Sequence, residues 1–299
     1  MLSKTLKISA AVSWLMICGS ITAWAGAPSN SSVLYIGDSI SFMHTPEAKG
    51  FGPTLLSSLL GASNQVSFIA SCGFTPQGYL QSGVARTSTI CGYFERDADA
   101  HITVCGENDS CYPPSLIDKI TLGKTGKPVT QKGLLSTLHP RVTIVQLGTN
   151  VAANSSPISP TQIGAVMRMM AAIKASGSQC VWITPPNGNE RYKTKDPKTG
   201  QTTWVVTVTP EKIREVRDMI DEIARQQDCI AVDALSTTIP PSASDVHPGP
   251  DEGAKWANLV EQSLNPLLTR LLETPPAAKS LAPGGDAENP ASPANAPAQ

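Results

Sequence analysis

Short, unbroken apolar runs punctuate this chain, and most of the stretches between them repeat their apolar residues every three or four positions. Residues 31–36, 65–70, 141–147, 181–184 and 230–232 are too short for helices and rich in β-branched and aromatic side chains, so each predicts a buried strand. Residues 52–60 set Leu55, Leu56, Leu59 and Leu60 at helical spacing, with Pro53 acceptable in a first turn. Residues 160–175 predict a helix with Ile163, Val166, Met167, Met170 and Ile173 on its inner stripe. Thr209 and Pro210 open another, running to 227 on Ile213, Val216, Met219, Ile220 and Ile223. The last, over 251–272, turns Trp256, Leu259, Val260, Leu264 and Leu268 inward, with Pro266 as a kink. Strands alternating with helices predict an α/β fold, a three-layer α/β/α sandwich on a parallel sheet. Right-handed crossovers limit the strand orders, and the flavodoxin-like 2-1-3-4-5 is the one expected.

Two stretches break the alternation. Residues 74–139 are rich in Gly, Pro and polar residues and predict an excursion over the C-terminal edge of the sheet, with short helices over 115–120 and 131–138. Residues 187–208 predict a hairpin turning at 196–200, before the β-favouring Trp204, Val205 and Val206.

The two ends of the chain differ from its middle. Lys4 and Lys7 precede an apolar stretch over 8–21, and Ala23-Trp24-Ala25 supplies a small-x-small cleavage pattern. Residues 1–25 therefore predict a signal peptide, an exported protein, periplasmic or secreted, and no membrane span once the signal is cut. Residues 274–299 are mostly Pro, Ala, Ser and Gly, a composition that predicts a disordered tail. Residues 26–273 remain as one domain with a full core.

Cys18 would leave with the signal, and six cysteines remain, an even number suited to disulfides in an oxidising compartment. Cys180 and Cys229 each begin an apolar run and are expected to pair across neighbouring strands. Cys105 with Cys111 would close a small loop, leaving Cys72 with Cys91. No pair has Cys-x-x-Cys metal spacing, so no zinc site is expected. A net charge of −1 and 16% charged residues advertise neither nucleic acid nor an anionic membrane as a partner.

The chemistry gathers at the strand ends. The first strand stops at Gly37-Asp38-Ser39, where Gly37 is read as allowing a tight turn that leaves Asp38 and Ser39 at the rim. The second stops at Ser71-Cys72-Gly73 and the third at Gly148-Thr149-Asn150; Asp245-Val246-His247-Pro248-Gly249 precedes the last helix. A serine becomes a nucleophile when a histidine base lies within hydrogen-bond reach, and acyl transfer needs donors where the oxyanion develops. Taken singly these residues have plainer uses. A lone serine in a turn is ordinarily structural, Asp38 reads as a clasp on its own loop, and Asn150 as a turn cap. His44 is the rival base near Ser39, His139 precedes a strand at the opposite end, His101 falls in the excursion, and Asp233 would support the loop bearing His247.

Taken together and in this order, Gly37-Asp38-Ser39-Ile40, Gly73, Gly148-Thr149-Asn150 and His247-Pro248 resemble the SGNH (GDSL) hydrolase family across the globular domain. The resemblance implies a flavodoxin-like sheet, Ser39 as nucleophile and His247 as base. It implies an oxyanion hole from the backbone N–H groups of Ser39 and Gly73 and the Asn150 amide, with no cofactor and no metal. One block departs from the pattern: the family's aspartate three residues before the histidine is Ser244 here, and Asp245 stands two before. Asp245 is taken as the group that orients His247, against a dyad in which a backbone carbonyl holds the ring. The activity implied is a serine esterase acting on O-acetyl groups of carbohydrate or on another small ester. An O-acetyltransferase acting on cell-envelope polysaccharide and a non-catalytic carbohydrate-binding module are the alternatives. Trp204, Tyr192 and Phe74 are expected to flank the mouth.

Overall fold

Strand β1 (Val33–Gly37) is buried at every position and alternates between two cores, which identifies it as an interior strand of the sheet. Leu34 and Ile36 face one side, Val33 and Tyr35 the other, as the two-residue period of a strand requires. The computed structural model describes residues 32–81, 92–106, 113–122, 126–154, 157–188, 190–195, 199–200, 202–233 and 246–273. The expected signal peptide, the tail, Cys91, Cys111, Ser244 and Asp245 lie outside the described residues.

After β1 the chain forms α1 (Phe51–Ala62), β2 (Val66–Ser71), α2 (Pro76–Gln81), β3 (Tyr93–Arg96), β4 (Ile102–Cys105), β5 (Lys119–Leu122), β6 (Pro128–Gln131), α3 (Leu134–Leu138) and β7 (Val142–Gln146). It continues through α4 (Thr149–Asn154), α5 (Pro160–Ala175), β8 (Gln179–Ile183), β9 (Glu190–Lys195), β10 (Thr202–Val208), α6 (Pro210–Gln226), β11 (Ile230–Val232) and α7 (Pro250–Glu273). The main sheet runs β11-β8-β7-β1-β2-β3-β4. Its parallel strands, β1, β2, β7, β8 and β11, stand in the expected order 2-1-3-4-5 when numbered among themselves. Strands β3 and β4 extend the β2 edge in antiparallel fashion, two strands more than the sequence pattern predicts.

The helices bury their apolar stripes on the two faces. Helices α5 and α6 cover one with Val166, Met170, Ile173, Ile213, Val216 and Ile220. Helices α1 and α7 cover the other with Leu55, Leu59, Trp256, Val260, Leu264 and Leu268. Thr209 caps α6 as expected, its side chain accepting from the Lys212 N–H, and Ser159 caps α5 on Gln162 in the same way.

Several expectations need correction. Residues 115–120 are not helical: they lead into β5, which pairs with β6 in a separate hairpin. The helix expected over 131–138 is confined to α3, because 128–131 is strand. On α5 the inner stripe runs through Met169, fully buried, while Met167 is 37% exposed. On α7 Leu259 is likewise 37% exposed. In both cases the neighbouring elements set the rotation of the helix. The hairpin expected over 187–208 is present as β9 and β10. The side chains of Tyr192 and Trp204 lie outside the described residues.

The expected Cys180–Cys229 disulfide is formed, with Cα atoms 4.8 Å apart, where β8 and β11 start side by side. Cys72 and Cys105 are half-cystines as well. Replacing Cys180 and Cys229 together by alanine is expected to cost about 2–4 kcal/mol, by freeing the unfolded chain from a long closed loop. The urea midpoint of the variant against that of the wild type measures it.

Candidate active site

The C-terminal ends of β1, β2 and β7 lie side by side, because Gly37 is level with Ala70 on one flank and with Gln146 on the other. Ser39 follows β1 by two residues, Gly73 follows β2 by two, and Asn150 follows β7 by four. All three therefore leave the sheet at one edge, where open α/β sheets bind ligands.

Ser39 sits in a tight double turn. The Ser41 N–H donates to the Asp38 carbonyl at 3.1 Å and the Phe42 N–H to the Ser39 carbonyl at 3.3 Å. Gly37 serves this turn by close approach, not by an unusual backbone angle. A Cβ there would lie 2.5 Å from Ser41 Oγ and 2.9 Å from the Tyr35 ring. Beneath the turn lies a buried polar chain. Ser41 Oγ donates to Gln146 Oε1 at 2.7 Å, so its single proton is used, and the Tyr35 hydroxyl donates to Ser41 Oγ at 2.6 Å. Tyr79 donates to the Gly37 carbonyl at 2.8 Å.

Asp38 is fully buried and not at the rim, which corrects the sequence reading. The expected clasp is formed, with Oδ1 accepting from the Ile40 N–H at 3.0 Å. Oδ2 has no hydrogen-bond partner among the described residues. Burial pushes the carboxyl up to about 7. The Ile40 N–H, the His247 charge when that ring is protonated, and the Gln146 amide beside the carboxylate each pull the other way.

His247 Nε2 lies 2.8 Å from Ser39 Oγ. The histidine precedes α7, and α7 is locked against α1. The Trp256 ring stacks on Phe51 with centroids 3.9 Å apart, and a Cβ on Gly253 would lie 2.8 Å from the Phe51 nitrogen. Val246 is buried beside Gly188, which holds the loop from below. The two helices that follow the nucleophile's turn and the histidine are thus packed together, which fixes the distance between them.

Asn150 is the second residue of α4 and is half-buried. Its Nδ2 donates to the Phe74 carbonyl at 3.1 Å, tying the β7 end to the β2 end, and its second N–H has no protein partner among the described residues. Gly73 has a φ of 71°, a left-handed turn that glycine adopts at no steric cost.

His44 is exposed and stands edge-on to the Phe42 ring, while Ser39 is paired with His247. His139 ends α3 in a left-handed conformation ahead of β7, at the opposite end of the sheet. Asp233 pairs with Arg217 of α6 at 3.0 Å. Asp97, Asp99 and His101 have metal-ligand spacing, but they form the β3–β4 turn at the far end of β2, where Asp97 Oδ1 clasps the Asp99 and His101 N–H groups. The Tyr35–Ser41–Gln146 chain escaped the sequence reading. Its only trace there is a run of polar residues at the ends of two apolar strands.

No family model matches the chain, and no curated protein does. Solved structures do resemble it. A putative arylesterase from Agrobacterium tumefaciens is 14% identical, with 79% of this chain and 99% of that one covered and a TM-score of 0.46. A carbohydrate acetylesterase from Sinorhizobium meliloti is 13% identical, covering 80% and 100%, TM-score 0.46. A GDSL-like lipase from Bacteroides thetaiotaomicron is 14% identical, covering 79% and 88%, TM-score 0.42.

The chain's own fold and site define a class: an α/β sandwich with a serine–histidine pair at the C-terminal ends of its parallel strands. The order of the five parallel strands is the one that the resemblance to the SGNH hydrolases implies, and β3 and β4 are additions at the β2 edge.

Proposed function

We propose that the protein is an exported serine esterase of the SGNH type that removes small acyl groups, acetyl foremost, from carbohydrate. The observation that carries the reading is the 2.8 Å contact between His247 Nε2 and Ser39 Oγ on a nucleophile turn held rigid from below. Ser39 Oγ attacks the ester carbonyl carbon as His247 Nε2 takes its proton. The oxyanion is received by the Ser39 and Gly73 N–H groups and the second side-chain N–H of Asn150. His247 then gives the proton to the alcohol oxygen, the carbon–oxygen bond breaks, and an acyl-Ser39 ester remains. Water attacks that ester through the same base and releases the acid. Asp245 orients the imidazole. Export is supported by the sequence pattern of residues 1–25 and by the Cys180–Cys229 disulfide.

The test is product analysis. Acetylated xylo- or glucosaminyl oligosaccharides are expected to yield free acetate. Acetyl groups moved to an added sugar with little free acetate would establish the transferase instead. A phosphonate that labels Ser39 stoichiometrically supports a catalytic site, and a folded protein that resists it would leave the binding-module reading. Asn150→Ala is expected to lower kcat about 10²–10³-fold with little change in KM, since the oxyanion exists only after attack. Steady-state kinetics on para-nitrophenyl acetate checks this.

A further inference from the structure

A cavity of about 260 Å³ opens beside Ser39, between the β1–α1 loop and the residues that lead into α7. Ser39 and His247 stand on its wall. Its floor is apolar, made of Ile40, Met43 and Phe51, each almost fully buried. Phe42 and His44 form a side wall, in edge-to-face contact with centroids 4.9 Å apart. The described lining includes neither Gly73 nor Asn150.

That placement has a chemical consequence, which rests on the esterase reading above. During acylation the carbonyl oxygen must point toward the donors on the β2 and β7 ends. The alcohol oxygen must instead lie within reach of His247 Nε2, which hands it a proton as the carbon–oxygen bond breaks. The alcohol therefore departs on the His247 side, and the cavity opens on that side. We propose that this cavity is the alcohol subsite, and that it takes a ring with one apolar face, a pyranose or an aromatic ring, laid against the Phe42–His44 wall. Substrate selection then lies in the alcohol, and the acyl group is confined to the space near the oxyanion donors. By microscopic reversibility, an acceptor sugar in the same cavity takes the acyl group from Ser39. Its hydroxyl proton passes to His247 Nε2, the new ester bond forms, the Ser39 ester bond breaks, and the proton returns to Ser39 Oγ.

Ala48 lines the lip of the cavity on an exposed turn, so Ala48→Trp narrows it without disturbing the core. Two ester series separate the two sides of the bond: acetates of methanol, phenol and a pyranose, and para-nitrophenyl esters of growing acyl chain. In Ala48→Trp, kcat/KM for phenyl and sugar acetates is expected to fall at least tenfold more than for methyl acetate, while the acyl-chain profile keeps its wild-type shape. His44→Ala, which removes one side of the wall, is expected to shift the same ratio about threefold and serves if the tryptophan variant does not fold. A collapse of the acyl-chain profile without a change in the alcohol ratio would overturn the proposal and assign the cavity to the acyl group. Equal losses in both series would overturn it too. A wild-type protein that turns over no ester defeats the esterase reading itself, a different result from either.

Discussion

Ser39→Ala is expected to lower ester hydrolysis by at least about 10⁴-fold, the scale of loss when an acyl-transfer nucleophile is removed. His247→Ala should fall by a similar factor, and the double variant should fall no further than the worse single one. Serine and base act as one unit, and once either is gone the other has nothing to do. The 2.8 Å contact is what makes this expectation sharp, because a serine merely near a histidine would show additive losses. Initial rates on para-nitrophenyl acetate over the three variants, with circular dichroism to confirm folding, decide it. A Ser39→Ala protein that keeps substantial turnover ends the serine-esterase reading, and a double variant far below both singles ends the shared-unit one. Residual activity above water is expected in each case, since the oxyanion donors remain.

The second large effect concerns stability and pH. Asp38 is fully buried and its carboxyl is pushed up to about 7 by loss of hydration. In the unfolded chain the same carboxyl titrates near the ordinary aspartate value. Between those two values the folded protein holds a proton that the unfolded chain has released. Stability from Asp38 is therefore full below about pH 4, declines as pH rises, and is lost by the time the folded group has titrated near 7. The difference is on the order of 4 kcal/mol. Asp38→Asn cannot ionise and keeps an oxygen to accept from the Ile40 N–H, so it should remove this slope. Urea unfolding of wild type and variant at intervals from pH 4 to 8 tests it, with the wild-type curve expected to fall relative to the variant. Taking the difference between the two proteins cancels carboxylates that act in the opposite sense, such as Asp97, which its bonds with His101 hold below the ordinary range. Parallel curves would mean that Asp38 stays ionised in the folded protein.

The buried carboxyl beneath the nucleophile also bears on how the turn is built. Asp38, Tyr35, Ser41 and Gln146 are all within the sheet or immediately after it, and each is buried. A network of this kind costs desolvation and returns geometric uniqueness when its members are paired. Here most of the pairings are made, and Asp38 Oδ2 and Gln146 Nε2, which have no hydrogen-bond partner within 3.5 Å among the described residues, lie where the carboxyl is pushed toward its neutral form.

The sequence by itself determined the parallel strands and the helices on the faces of the sheet, and narrowed the strand order to the few that right-handed crossovers allow. Strands covered on both sides read as continuous apolar runs, and amphipathic helices carry their own period, so neither needs a distant partner to be recognised. The positions of Ser39 and His247 were legible for a related reason: each is punctuated by glycine or proline at the end of such an element. The Cys180–Cys229 pair followed from two cysteines at the starts of successive strands. Only the tertiary structure decided the rest. Strands β3 and β4 carry Glu95, Arg96 and the half-exposed Ile102 and Val104, with no apolar run to mark them; the edge of β2 makes β3 a strand, and β3 in turn pairs with β4. Met169 rather than Met167 faces the core because packing against neighbours sets the rotation of α5. Asp38 is buried at the end of β1, where the Gln146 amide of the neighbouring β7 lies beside its carboxylate and Tyr79 binds the preceding Gly37 carbonyl. The cavity beside Ser39 exists only where the β1–α1 loop meets the start of α7, nearly the whole length of the domain away in sequence. Local pattern reports which surface a residue offers, and long-range packing alone determines what is placed against it.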